Sequence, residues 1–154
     1  MPRTYPKNIC LVILTLAISI AFANGESIAD DTTIYKEITE SQLLTLLQSE
    51  GINAEKFSEA IISVTLSGYP VYLKLDPTGT LLNFVSPVEG ITSSLEKINA
   101  FNQTIDFGQA FLFEGTPMLQ LQLNLKGGVS VANIKHYISQ FARIRALFDS
   151  SLRN

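Results

Sequence analysis

The chain has 154 residues, 16% charged and 46% hydrophobic, with one cysteine, one histidine and no tryptophan. That length fits one compact domain and excludes most multidomain architectures. A net charge of −3 and an isoelectric point near 5.1 argue against a nucleic-acid partner, because such binders usually carry a basic face.

The mean hydropathy of +0.23 is high for a soluble protein, and the excess is concentrated in the first residues. Met1 to Asn8 carry Arg3 and Lys7 and no acid, and an apolar run follows from Ile9 to Ala23. Ala21-Phe22-Ala23 then sets small residues at the two positions a signal peptidase reads. A basic start, an apolar middle and an A-x-A exit are the pattern of a secretory signal. The run is shorter than the roughly 18–20 residues that cross a bilayer comfortably, so a stable membrane anchor is the alternative. Residues 1–23 are therefore expected to be a cleaved signal, with the product periplasmic or extracellular.

Cleavage after Ala23 leaves Asn24 to Asn154, which keeps every acid but loses Arg3 and Lys7, so the product is more acidic than the precursor. It contains no cysteine, since Cys10 lies in the signal. A cysteine-free product excludes thiol catalysis and cysteine-ligated metal sites. It must also fold on its own core, which a chain of this size can supply.

Residues 24–37 are polar and read as a flexible leader, and a domain is expected over 38–152. Thr39 can cap a helix while Gln42 reaches back to it, and Leu43, Leu44, Leu46 and Leu47 fall on one side. Gly51 suits the left-handed stop, so a helix is expected over 40–49. Ile62, Val64 and Leu66 alternate with Ile61, Ser63 and Thr65 over a strand at 60–66. Ser67-Gly68 turns the chain into a second strand at 69–76. Asp76-Pro77-Thr78-Gly79 then turns it into a third, 80–86. The three read as an antiparallel meander with one buried face.

A second helix is expected near 94–103 after the caps offered by Thr92-Ser93-Ser94. Gly108 to Glu114 is apolar on both faces and reads as a central strand, and Glu114-Gly115-Thr116-Pro117 is a turn. From Met118 to Leu125 the inward Leu119, Leu121, Leu123 and Leu125 alternate with Gln120, Gln122 and Asn124, the clearest strand signal in the chain. Ser130 caps a last helix over 131–150, on which Val131, Ile134, Ile138, Phe141 and Phe148 form one stripe. The expected fold class is α+β in two layers. Its order is α-β-β-β-α-β-β-α, with a five-stranded antiparallel sheet and helices mainly on one face.

The stretch from Ile98 to Ala110 resembles the YbjN-domain family of bacterial proteins, labelled sensory transduction regulators. The residues that carry the resemblance are Asn99, Phe101, Asn102, Phe107, Ala110, Gly127 and Gly128, with Phe101 where tryptophan is common. The resemblance runs from about Ile38 to Leu152. It implies a fold similar to the type III secretion chaperones, which bind extended segments of partner proteins and usually dimerise. It names no enzymatic activity. A signal-bearing member departs from the cytoplasmic image of a regulator.

The chemistry-bearing residues fit this picture. His136 projects opposite the apolar stripe of the last helix, and no metal-ligand set accompanies it. Asn99 and Asn102 share a helix side with Leu95 and Ile98, which is expected to face the sheet or its connections. Asn102 is expected to tie the helix end to the following turn, with ligand binding as the alternative. Gly127-Gly128 reads as a turn rather than a phosphate loop, which normally has more glycines and a following lysine. Arg145 lies about 20° from Ile134, inside the apolar stripe. It either snorkels or pairs with a carboxylate, or it grips a partner's carboxylate in an interface. Gln120, Gln122 and Asn124 form solvent surface or a peptide-binding face. Asp76, Glu89, Glu96, Asp106 and Glu114 are scattered, and no pair forms the acid–base couple of a hydrolase. The sequence thus points to a non-catalytic, exported domain without cofactor or metal that binds another protein or a copy of itself. An enzyme using its carboxylates or His136 is the second reading. A domain tethered by an uncleaved N-terminal helix is the third.

Overall fold

The computed structural model describes residues 30–153, so the signal expected over 1–23 lies outside the described residues. The elements in chain order are β1 (Ile34–Tyr35), α1 (Glu40–Ser49), β2 (Ala54–Ser58), β3 (Ile61–Leu66), β4 (Tyr69–Leu75), β5 (Leu81–Pro87), α2 (Leu95–Asn102), β6 (Gln109–Phe113), β7 (Thr116–Asn124), β8 (Val129–Ser130) and α3 (Val131–Arg153). Six strands form one antiparallel sheet in the order β2-β3-β4-β5-β7-β6, and β1 pairs with β8 in a separate two-stranded sheet. The expected α+β class and antiparallel sheet stand. The strand count is six rather than five, with the small sheet in addition.

Local chemistry fixes the element ends. Thr39 and Gln42 form a reciprocal capping box at the start of α1, the Gln42 amide 3.3 Å from Thr39 Oγ1 and the Thr39 amide 2.9 Å from Gln42 Oε1. Gly51, at φ +71°, takes the left-handed conformation just past the helix end. The two-residue turns Ser67-Gly68 and Glu114-Gly115 have positive φ at both positions, the geometry that matches strand twist in a tight hairpin.

All buried strand positions point one way. Ile62, Val64 and Leu66, then Val71, Leu73 and Leu75, then Leu82 and Phe84, and Leu119, Leu121 and Leu123 pack under the helices. Phe141 meets Phe84 at 5.5 Å between ring centroids, and Phe148 meets Phe101 at 4.7 Å. The expected stripe of α3 is buried in full and gains Ile144, Arg145 and Leu152. One layer of helices thus covers one face of the sheet.

Three strands lie where the sequence pattern predicts none. β2 is the outer strand beside β3 and is exposed from Glu55 to Ser58. Its sequence carries no inward alternation because an edge strand exposed on this scale needs none, and its charges suit an edge. β1 and β8 have two residues each, too few for a period to show. Their pairing engages residues of the expected leader. Val131 donates to Thr33 O at 2.9 Å and Ala132 to Asp31 O at 3.1 Å, so the described part of the expected leader is bonded to the start of α3. Gly128, at φ +87°, lets β1 cross closely: a Cβ there would lie 3.0 Å from Ile34 Cγ2. The strand expected to be central, β6, is an edge of the sheet. It is apolar on both sides because Ala110 lies under α2 while Phe111 and Phe113 lie on the opposite face.

The Asp76 turn supplies a pH test. Its carboxylate accepts from Thr78 Oγ1 and from the amides of Thr78, Thr80 and Leu81, the last two at 2.7 Å. These bonds, led by that from the Thr78 hydroxyl, lower its pKa to about 2. A depressed folded-state value contributes stability that is present above the unfolded value and is lost as pH falls through the folded one. Urea midpoints measured between pH 4 and pH 2 are expected to fall less steeply for Asp76→Asn than for the wild type. Parallel declines would contradict the assignment.

Candidate functional site

The face of the sheet opposite the helices carries no other element among the described residues. Across its middle row lie Ser63, Tyr72, Val85, Gln120 and Gln109, aligned by the strand register. The row on one side holds Ile61, Lys74, Asn83 and Gln122, and that on the other Thr65, Pro70, Met118 and Phe111. Phe57, 63% exposed, packs its ring edge-on against Tyr72 at 5.2 Å, and Phe113, 59% exposed, stands at the opposite margin. Glu55 and Lys74 are the charged side chains at open-face positions of the described strands. The amides Gln120, Gln122 and Asn124 lie among them, with Gln120 Nε2 3.4 Å from Asn83 Oδ1. Open antiparallel faces are often simply solvated. A low-charge face with aromatics at both margins is the composition of an interface core. The sequence displays its amides, but its apolar members come from six strands whose order the sequence does not state.

Arg145 sits beneath the opposite, helix-covered face. Its side chain is 3% exposed. Nε donates to Ser86 Oγ and Nη2 to Pro87 O, both at 2.9 Å, and Ser86 Oγ in turn donates to Pro70 O at 2.6 Å. Nη1 stands 3.6 Å from Asp149 Oδ1, and the guanidinium carbon lies 4.4 Å from the centroid of the Tyr69 ring. Burial pushes the guanidinium down from its ordinary value, opposed by the Asp149 charge. Asp149 itself is held below the usual carboxylate range, chiefly by hydrogen bonding from Arg153. Arg145 thus takes the carboxylate-pairing role expected as one alternative. The chain's own groups surround the guanidinium and shield it from solvent.

The other candidate residues are dispersed. His136 is exposed on α3, as its helical position implies. Asn102 binds both backbone groups of Ala110, Nδ2 to Ala110 O at 2.9 Å and Ala110 N to Oδ1 at 2.7 Å. Its bond therefore reaches past the turn to the first half of β6. Asn99 and Leu95 are exposed rather than facing the sheet, because only Ile98 and Phe101 of short α2 enter the core. Phe107 is 41% exposed and lies 6.3 Å from Tyr137 between ring centroids. Gly127 and Gly128 form the turn into β8, where Gly128 donates to Leu125 O at 2.8 Å. Glu89, Glu96, Asp106 and Glu114 are exposed, at loops and element ends. No group of three potential metal ligands forms among the described residues.

The model of the YbjN family, described as "Putative bacterial sensory transduction regulator", matches residues 39–153. The chain belongs to the YbjN family. A YbjN domain therefore accounts for α1 through α3, and the residues of the resemblance can be placed in it. Phe101 and Ala110 are core, Asn102 joins α2 to β6, and Gly128 admits β1. The family description is that of a regulator. No curated protein matches the chain. Among the described residues, no helix is long and apolar enough to cross a membrane.

Proposed function

We propose that this YbjN domain is a non-catalytic, protein-binding regulator, exported to the bacterial envelope or beyond by the signal-like segment from Met1 to Ala23. The observation that carries the binding role is the uncovered sheet face, with Tyr72, Val85, Met118, Phe111 and Phe113 presented on it. Contiguous apolar surface of this kind marks interaction sites more often than plain solvent surface. The antiparallel sheet backed by helices also suits the chaperone-like mode that the family resemblance implies, in which a partner lies along the domain. The basic start, apolar run and A-x-A exit of that first segment support export.

Two measurements test the proposal in cells expressing the tagged full chain. Intact-mass analysis is expected to find an N-terminus at Asn24, whereas retention of Met1 to Ala23 in the envelope would assign a tethered domain instead. Mild in-cell cross-linking is expected to trap a recurrent polypeptide adduct whose yield falls about tenfold in Met118→Asp, since a buried unpaired charge is costly at an interface. An adduct indifferent to every open-face substitution would move the binding site elsewhere.

A further inference from the structure

We infer that the cleft beside α3, at the ends of α1 and β3, is a binding site for a small amphiphilic carboxylate: one acid group on an apolar body, of the N-acyl amino acid type. The cleft lies on the helix-covered side of the sheet, so the inference goes beyond the binding role of the open face.

Three elements distant in sequence build the cleft. The connection after α1 contributes Ile52, the end of β3 contributes Leu66, and one side of α3 contributes Ile138 and Ala142. Its volume is about 750 Å³, within the roughly 300–1,000 Å³ of small-molecule sites. Leu66 and Ile138 are each 6% exposed and belong to the core, so packing holds the floor in place. Ile52 and Ala142 are half-buried. An apolar body lying in the cleft would remove their remaining surface from water, which is the favourable term for such a ligand.

Charge selects the polar end of the ligand. Arg143 lines the cleft and no acid does, although the chain carries 14 acids against 11 bases. Among the described residues Arg145 and Arg153 both lie against Asp149, whereas Arg143 forms no ion pair. Ser139 also lines the cleft, and a residue four positions before Arg143 is its neighbour on the helix surface. The guanidinium fork matches the two oxygens of a carboxylate, and a serine hydroxyl one turn away donates to the same group. One cation balances one negative charge, which fits a carboxylate better than a phosphate monoester carrying nearly two. The side-chain amide of Asn53, which also lines the cleft, offers a donor and an acceptor to an amide in the ligand. An apolar floor with a few converging polar groups is the general form of a small-ligand site.

The test titrates protein purified from cells expressing the full chain with N-octanoylglycine, kept below its micelle concentration, by calorimetry. Saturable binding of one molecule per chain is expected, with the neutral N-octanoylglycinamide bound at least tenfold more weakly. Arg143→Gln is expected to weaken binding of the acid about ten- to a hundredfold, the range for losing hydrogen bonds to a charged group, and to leave binding of the amide unchanged. Arg143 is exposed, so this variant is expected to keep the wild-type thermal midpoint. Ser139→Trp, which fills the cleft from an exposed helix position, is expected to abolish binding of both compounds. Met118→Asp, on the open face, is expected to leave the affinity unchanged, which separates this site from the one proposed above. Equal affinity for acid and amide, wild-type affinity in Arg143→Gln, or heat of dilution alone would each overturn the site.

Discussion

Arg145→Ala is expected to lower the unfolding free energy by about 2–4 kcal/mol, since a buried acceptor left without its donor costs about 1–3 kcal/mol and an emptied volume adds to that. The magnitude follows from what the guanidinium leaves behind. Pro87 O loses its 2.9 Å donor, Ser86 Oγ loses the donor it accepts from, and Asp149 keeps Arg153 as its cationic partner. The space beside the Tyr69 ring empties as well, since the guanidinium carbon had lain 4.4 Å from its centroid.

Arg145→Met separates these contributions. Methionine refills most of the volume and removes the cost of burying a charge, while Ser86 still donates to Pro70 O. Replacing a buried ion by an apolar residue of similar volume is often neutral, whereas deleting one partner is not. Arg145→Met should therefore lose less than half of what Arg145→Ala loses in urea unfolding at neutral pH. Equal losses in the two variants would show that the charge and its hydrogen bonds, rather than the filled volume, make Arg145 important. The cluster joins the start of β4, the end of β5 and the second half of α3. The same measurement thus reports how firmly the long helix is held on the sheet that carries the open face.

The elements that a single segment specifies are legible in the sequence. Thr39 with Gln42 marks the start of α1, and the alternation through Leu119, Leu121 and Leu123 marks β7, because cap and period are local properties. Strand order is not local, and the differences between expectation and structure lie there. β6 reads as central because it is apolar on both sides, and only the order β5-β7-β6 shows that one of those sides is the open face. β2 is hard to see because its stabilising neighbours are α1 and β3 rather than its own pattern, as in the contact of Lys56 with Glu40 at 2.8 Å. The Arg145 cluster has one sequence signal. Ser86 occupies an inward position after Leu82 and Phe84, where a polar side chain needs a buried partner. That partner lies 59 residues away, beyond the reach of any periodicity.

Asn102→Ala is expected to cost about 2–5 kcal/mol, because it strips two partners from one peptide position at once, and a buried backbone donor or acceptor left unpaired costs about 1–3 kcal/mol. Ala110 is 2% exposed. Its N–H and C=O turn away from β7 on the edge of the sheet and are both met by the Asn102 amide, at 2.7 and 2.9 Å. The side chain stands in for a seventh strand over one residue. Asn102→Asp discriminates this from simple packing. The carboxylate still accepts the Ala110 N–H but sets an anion against the Ala110 carbonyl, so it should be nearly as destabilising despite its matching shape. Hydrogen exchange at the Ala110 amide is expected to accelerate strongly in Asn102→Ala and much less in Asn102→Asp, where the acceptor persists. The edge matters beyond stability, since an unpaired strand edge is a template for further strands. Asn102→Ala should therefore also raise open-ended self-association along β6. A variant that unfolds at the wild-type urea midpoint and does not aggregate would show that water replaces the Asn102 amide without loss.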